Sequence, residues 1–295
     1  LPQELLMQPV SAELTSRPLL EFTGAQACEA MNRSFVEYFV PLVFDAASFE
    51  RRFRGESLDA QASKLWFLKG KLVGLVLIAR RGWTSRVAAM GLVKEARGKG
   101  YGKLMLTEAI AEATARDDRR MLLEVFTPNE PARRLYERLG FQNTRLLTSF
   151  NCPGKPGERP TQELAEADPR EVARLLSREA DEDLPWMMAP ETLMAAAPPV
   201  RAYQLAGKAF AIVRVDSQRT VLLTLVVPKI WRRQGWGSRL LRSLASTADT
   251  QPFTAPMVLE GPGYAFLQSE GWVPQPLTLF EMQRPLGAQV RAAEG

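Results

Sequence analysis

The chain has 295 residues and not one histidine. That absence excludes the usual imidazole base, the Ser-His-Asp and Cys-His nucleophile systems and most zinc sites. Acid–base chemistry must therefore fall to carboxylates, tyrosine, lysine, cysteine or water. Cysteine is scarce too: Cys28 and Cys152 give neither a disulfide framework nor a metal-ligand spacing, so no metal is expected and a reducing cytoplasm is the default. No apolar run approaches the roughly 20 residues needed to span a bilayer. The first residues, Leu1 to Leu14, lack the basic-then-apolar order of a secretory signal and read as a loose leader.

What remains is the composition of a globular protein long enough for two ordinary domains. The net charge of +5 is unevenly spread. Residues 1–150 hold 22 Lys+Arg against 17 Asp+Glu, and the remainder hold 16 against 16. A polyanionic small molecule bound by the first half accounts for the excess. Nucleic acid is not required, since no stripe of basic and aromatic residues is present.

One pattern occurs twice, 135 residues apart: Arg97-Gly98-Lys99-Gly100-Tyr101-Gly102 and Arg232-Arg233-Gln234-Gly235-Trp236-Gly237. Each copy follows an apolar run and opens a helical pattern. A glycine-rich turn from strand to helix lets the backbone approach a phosphate, with first-turn N–H groups and the positive end of the helix dipole behind them. Taken singly, either copy also reads as an ordinary connection, but the repetition points to a duplicated module. There is no Gly-Lys-Ser/Thr and no Rossmann glycine spacing.

The Pro- and Gly-rich stretch 151–161 reads as a linker, and residues 285–295 read as a frayed tail. Before the linker, the periodicities predict a short strand at Leu19 to Phe22 and helices at Ala25 to Val36 and Phe44 to Phe53. A hairpin follows, turning at Lys69-Gly70, then a strand at Arg86 to Val93. Beyond the glycine turn and its helix come a strand at Met121 to Phe126, a helix closed by Gly140, and a strand at Phe141 to Phe150 that completes the sheet. The second half repeats this order. The expectation is α+β, with mixed sheets flanked by helices.

Carrying the glycine motif twice, the chain resembles a tandem GNAT acetyltransferase, its modules at residues 17–150 and 162–284. The first module carries the fuller pattern. Arg97-x-x-Gly100-x-Gly102 resembles the family's pyrophosphate loop. The block Asn129-Glu-Pro-Ala132-Arg-Arg-Leu135-Tyr136-Glu-Arg-Leu-Gly140-Phe141 resembles its second conserved block, and Met31 to Pro41 resembles the first helix and following loop of some bacterial members. The resemblance implies acetyl-CoA as cosubstrate. The N–H groups of Arg97, Gly98, Lys99, Gly100 and Gly102 would hold its pyrophosphate, Met90 and Leu92 its pantetheine arm, and Asn129 its thiol end. It also implies acetyl transfer by direct attack of a primary amine, either a small-molecule amine or a protein N-terminal amine, with a non-catalytic acyl-CoA-binding regulator as the alternative. A homodimer is compatible with the sequence.

Tyr136 falls at the general-acid position; its ordinary pKa of about 10 lies above the roughly 8.5 of a thiol. The run Leu-Glu124-Val resembles the ribosomal-protein N-terminal acetyltransferases, in which a glutamate here is assigned as base. On the residues alone, Glu124 is either a base with proton affinity raised by burial or a strand residue paired with Arg133 or Arg134. Glu37 and Asp45 read as a solvated helix face and a helix cap. The second module keeps Arg232, Gly235 and Gly237 for phosphate, but Leu267 stands at the tyrosine place and the asparagine is missing. It is expected to bind CoA without chemistry or to close the acceptor groove.

Overall fold

The structure is a computed structural model describing residues 14–152, 164–215, 219–247 and 252–287. The first half runs β1 (Leu14–Pro18), α1 (Gly24–Ser34), α2 (Ala46–Gly55), β2 (Lys64–Leu68), β3 (Lys71–Arg81), β4 (Thr84–Leu92), α3 (Tyr101–Ala115), β5 (Arg120–Phe126), α4 (Glu130–Arg138) and β6 (Gln142–Cys152). The second runs β7 (Ala165–Ala167), α5 (Pro169–Glu179), α6 (Pro190–Met194), β8 (Val200–Leu205), β9 (Ala209–Val215), β10 (Thr220–Val226), α7 (Trp236–Thr247), β11 (Phe253–Leu259), α8 (Pro262–Ser269), β12 (Val273–Pro274) and β13 (Leu279–Pro285). The fold is α+β: two halves of like element order whose sheets merge into one mixed sheet flanked by helices.

Local chemistry sets the boundaries. Thr23 and Gln26 form a capping box that starts α1, and Asp45 with Ser48 does the same for α2, as expected of Asp45. The hairpin between β2 and β3 turns at Lys69 (φ 50°) and Gly70 (φ 75°), the two positive values a tight two-residue turn needs. Two expectations are corrected. The first strand precedes Leu19, which is buried in a following turn, and α1 stops at Ser34, so Glu37 lies beyond the helix.

In the sheet, the order is β1-β2-β3-β4-β5-β13-β6-β11-β10-β9-β8-β7, with β12 on β6. The strand that ends each half has therefore crossed to the other. β13 lies antiparallel against β5, and β6 lies antiparallel against β11. Met282 of β13 is buried in one core with Met105, Leu106, Met121 and Tyr136, while Phe150 of β6 is buried with Leu240, Leu241 and Leu267. Phe141 to Phe150 thus completes the second half's sheet, against expectation. Alternation specifies which face of a strand is apolar, and does not specify which sheet edge it joins.

Asn151 and Cys152 belong to β6, pairing with Thr254 and Phe253, and Leu286 is buried, so linker and tail are both shorter than expected. Most of the leader, residues 153–161 of the linker and residues 288–295 lie outside the described residues. No described helix is long and apolar enough to cross a membrane.

Candidate active site

β4 and β5 are hydrogen-bonded only at their starts, Thr84 to Val87 against Arg120 to Leu123. Beyond that they part, leaving the ends of both strands, Met90 to Leu92 and Glu124 to Phe126, without a partner in each other. The glycine turn sits at the end of β4. Gly98 (φ 74°) and Gly100 (φ 82°) adopt the left-handed conformation, with open space where a Cβ would be. Gly102 is required for another reason: a Cβ there would meet Met90 Cε at 3.3 Å and Leu135 Cδ2 at 3.4 Å. Backbone bonds in this loop involve the N–H groups of Ala96, Arg97 and Lys103. Those of Gly98 to Gly102 are unspent among the described residues and lie at the start of α3, the arrangement that receives an anion.

Arg97 does not reach outward. Its Nε donates to Leu92 O at 3.1 Å and its Nη2 to Val36 O at 2.7 Å, which latches the chain after α1 onto the turn. Glu37, expected on a helix face, instead pairs with Lys94 at 2.7 Å. Lys99 is exposed beside the N–H groups of the turn.

That latched segment carries Tyr38 and Phe39 over the end of β5, each ring 5.7 Å from Phe126. Asn129 caps α4 by accepting from Ala132 N. Burial raises the Tyr38 phenol above its ordinary value, and the nearby Asn129 side chain only partly offsets this. Tyr136, 8% exposed, packs edge-on to Phe141. Burial raises its phenol far above the usual tyrosine range, and the nearby Tyr38 adds to the effect. The structure thus brings Tyr136, Asn129 and Tyr38 together. Tyr38 lies within the stretch Met31 to Pro41, where nothing in the sequence set it apart.

Glu124 lies on the sheet face of α1 and α2, and its partner is neither Arg133 nor Arg134. Arg86 Nε donates to both its oxygens, at 3.0 and 2.8 Å, while Arg86 Nη1 donates to Glu56 at 2.7 Å. Arg52 also pairs with Glu56, completing a buried neutral network. Arg133 and Arg134 pair instead along α4, with Glu137 and Glu130. An arginine on the neighbouring strand, Arg86, is the partner that spacing along one helix could not reveal.

The second half repeats the turn. Gly235 has φ 78° and Arg233, in the place of Gly98, has φ 62°. A Cβ on Gly237 would meet Phe266 at 3.3 Å. Arg232 Nε donates to Val227 O at 3.1 Å and Nη2 to Glu179 O at 2.6 Å, the same latch as Arg97. Asp181 accepts from both Arg232 and Lys229. Leu267 is buried, and Tyr264 packs on Phe150 at 4.8 Å. Burial raises the Cys28 thiol, with Asp45 adding to it, which suits an inert cysteine.

A cleft of about 680 Å³ lies at the seam of the halves, on the face that carries Glu124. Its floor includes Leu122, Glu281 and Gln283, and its walls include Asp183, Trp186 and Glu191. Glu281 is the register partner of Glu124, so the cleft adjoins the place where β4 and β5 part.

Residues 27–141 match the model of the acetyltransferase (GNAT) family. The uncharacterized N-acetyltransferase YycN of Bacillus subtilis strain 168 is 42% identical over 59 residues, which are 20% of this chain and 38% of that protein. The chain therefore spans well under half the length of this curated relative. A GCN5-related N-acetyltransferase from Sphaerobacter thermophilus has a similar structure, with TM-score 0.63 and 12% identity over 93% of this chain and 96% of that one. A tandem GNAT protein from the clavulanic acid biosynthesis pathway gives TM-score 0.61 and 14% identity, covering 94% of this chain and 100% of that one. At these identities the structural likeness shows the fold.

Proposed function

With residues 27–141 forming a domain of the GNAT acetyltransferase family inside a tandem GNAT fold, we propose that the chain is an acetyl-CoA-dependent N-acetyltransferase acting on a primary amine. Its single active site lies in the first half. The observation that carries this reading is the meeting of an unspent N–H cradle, Gly98 to Gly102, with the Tyr136–Asn129–Tyr38 group across the parted ends of β4 and β5.

Bound acetyl-CoA supplies a thioester whose C–S bond is exchanged for a C–N bond to the amine. The loop N–H groups and Lys99 receive the pyrophosphate, and Met90 and Leu92 offer backbone to the amide-bearing arm. The Tyr136 phenol gives its proton to the departing sulfur and recovers one from water. Burial raises a thiolate in the same pocket as well as the phenol, so the aqueous mismatch between them is not the operative one. A protonated amine with a pKa of about 10.4 needs roughly 4 to 5 kcal/mol to lose its proton at pH 7. Both Glu124 oxygens already accept from Arg86. Glu124 therefore draws that proton through a water on its remaining lone pairs. The amine arrives from the cleft side, whose second wall comes from the other half.

The test is release of CoA thiol from acetyl-CoA against a panel of small amines and peptides with free N-termini. Gly100→Val abolishes turnover and Gly235→Val, which strains the equivalent turn, leaves it. Turnover that survives Gly100→Val contradicts the proposal. Acetyl-CoA binding without turnover of any amine indicates the regulator instead.

A further inference from the structure

The α4 face of β13 meets the helix that carries Tyr136 at every step. Phe280 lies under the Arg133 guanidinium at 4.9 Å, Met282 shares the core of Tyr136, and Arg284 Nη1 donates to Leu139 O at the carboxyl end of α4. Room for this last contact exists only because residue 140 is glycine. A Cβ there would stand 2.7 Å from Arg284 Nη1. Arg284 is thus a cation on the negative end of the helix dipole, supplied by the half of the chain that lacks the tyrosine.

The other half serves as an internal control. α8 ends as α4 does: Trp272 N donates to Leu267 O and Gly271 has φ 81°, matching Phe141 N on Tyr136 O and Gly140 at φ 83°. Nothing lies within 4 Å of the Cβ position on Gly271. The strand position equivalent to Arg284 holds Cys152: Arg284 pairs with Met121 and Cys152 with Phe253, and Met121 and Phe253 are each buried in their own half's core. The arginine clasp accompanies the tyrosine and is missing where the tyrosine is missing.

We propose that Arg284 is a positioning residue for Tyr136: it fixes the end of α4 and with it the direction in which the phenol points. This rests on the acid role given to Tyr136, but its test does not. The full chain is labelled with ¹³Cζ-tyrosine, giving five resonances for five tyrosines, and Tyr136→Phe identifies one of them. Arg284→Met, which keeps the aliphatic stem, is expected to shift the Tyr136 resonance more than any of the other four, and Arg284→Lys to return it most of the way. A Tyr136 resonance that moves no more than the other four in Arg284→Met overturns the proposal, even if the melting temperature falls. If Arg284→Met does not fold, Arg284→Gln takes its place: a Tyr136 resonance displaced more than the other four supports the proposal, and one that moves no more than they do overturns it. Failure of the acid role is read separately, from the turnover of Tyr136→Phe.

Discussion

Leu267 occupies in α8 the place that Tyr136 occupies in α4. Each carbonyl accepts from the N–H five residues on, at 3.0 Å, around a left-handed glycine, and each side chain is buried in its own half's core. Backbone and burial have been kept while the hydroxyl has not. A Leu267→Tyr substitution is accordingly expected to add no measurable turnover, because no asparagine cap or Tyr38 equivalent stands beside it. CoA release by a Tyr136→Phe/Leu267→Tyr protein checks this, and any recovery above Tyr136→Phe counts against a single site.

The network around Arg86 predicts a large stability effect. Arg86→Met leaves Glu56 and Glu124 buried without the guanidinium between them. Removing one partner of such a network costs about 3–5 kcal/mol. Urea denaturation of the variant should give that loss; a change below about 1 kcal/mol is incompatible with the network as described.

Stability should also fall in acid. Burial alone would raise the Glu56 carboxyl, but Arg52 and Arg86 outweigh it and hold it below its ordinary value. A group depressed in the folded state stabilises above its unfolded pKa of about 4.3, and the contribution is lost as pH falls through the folded value. Melting temperatures measured from pH 7 down to pH 3 should drop more steeply for wild type than for Glu56→Gln.

Alkaline pH should do no harm to the acid. Burial and Tyr38 raise the Tyr136 phenol, so it keeps its proton through pH 10. Turnover is expected to rise as the amine deprotonates and to show no descending limb from tyrosine ionisation. A limb near pH 9 that Tyr136→Phe abolishes would refute this.

Much of the site could be read in the sequence because it is local. The glycine turn, its helix, Asn129 and Tyr136 depend on φ values and caps set within a few residues of each other. Asp45 was legible as a cap for the same reason. What could not be read is non-local. The Glu124 partner stands 38 residues away on another strand. Arg97 looked like a phosphate ligand because its Val36 acceptor is 61 residues distant. The crossing of β6 and β13 leaves no mark on either strand's alternation, since both present one apolar face whichever edge they join.

Chemistry is expected at Tyr136 and nowhere else in the chain. The most direct test is single-turnover acetyl transfer by Tyr136→Phe, with acetyl-CoA affinity measured alongside by calorimetry. The expected rate is lower by about 10²- to 10⁴-fold, the usual range for general acid catalysis, with affinity unchanged within about twofold. A wild-type rate in a protein that binds acetyl-CoA normally would contradict it.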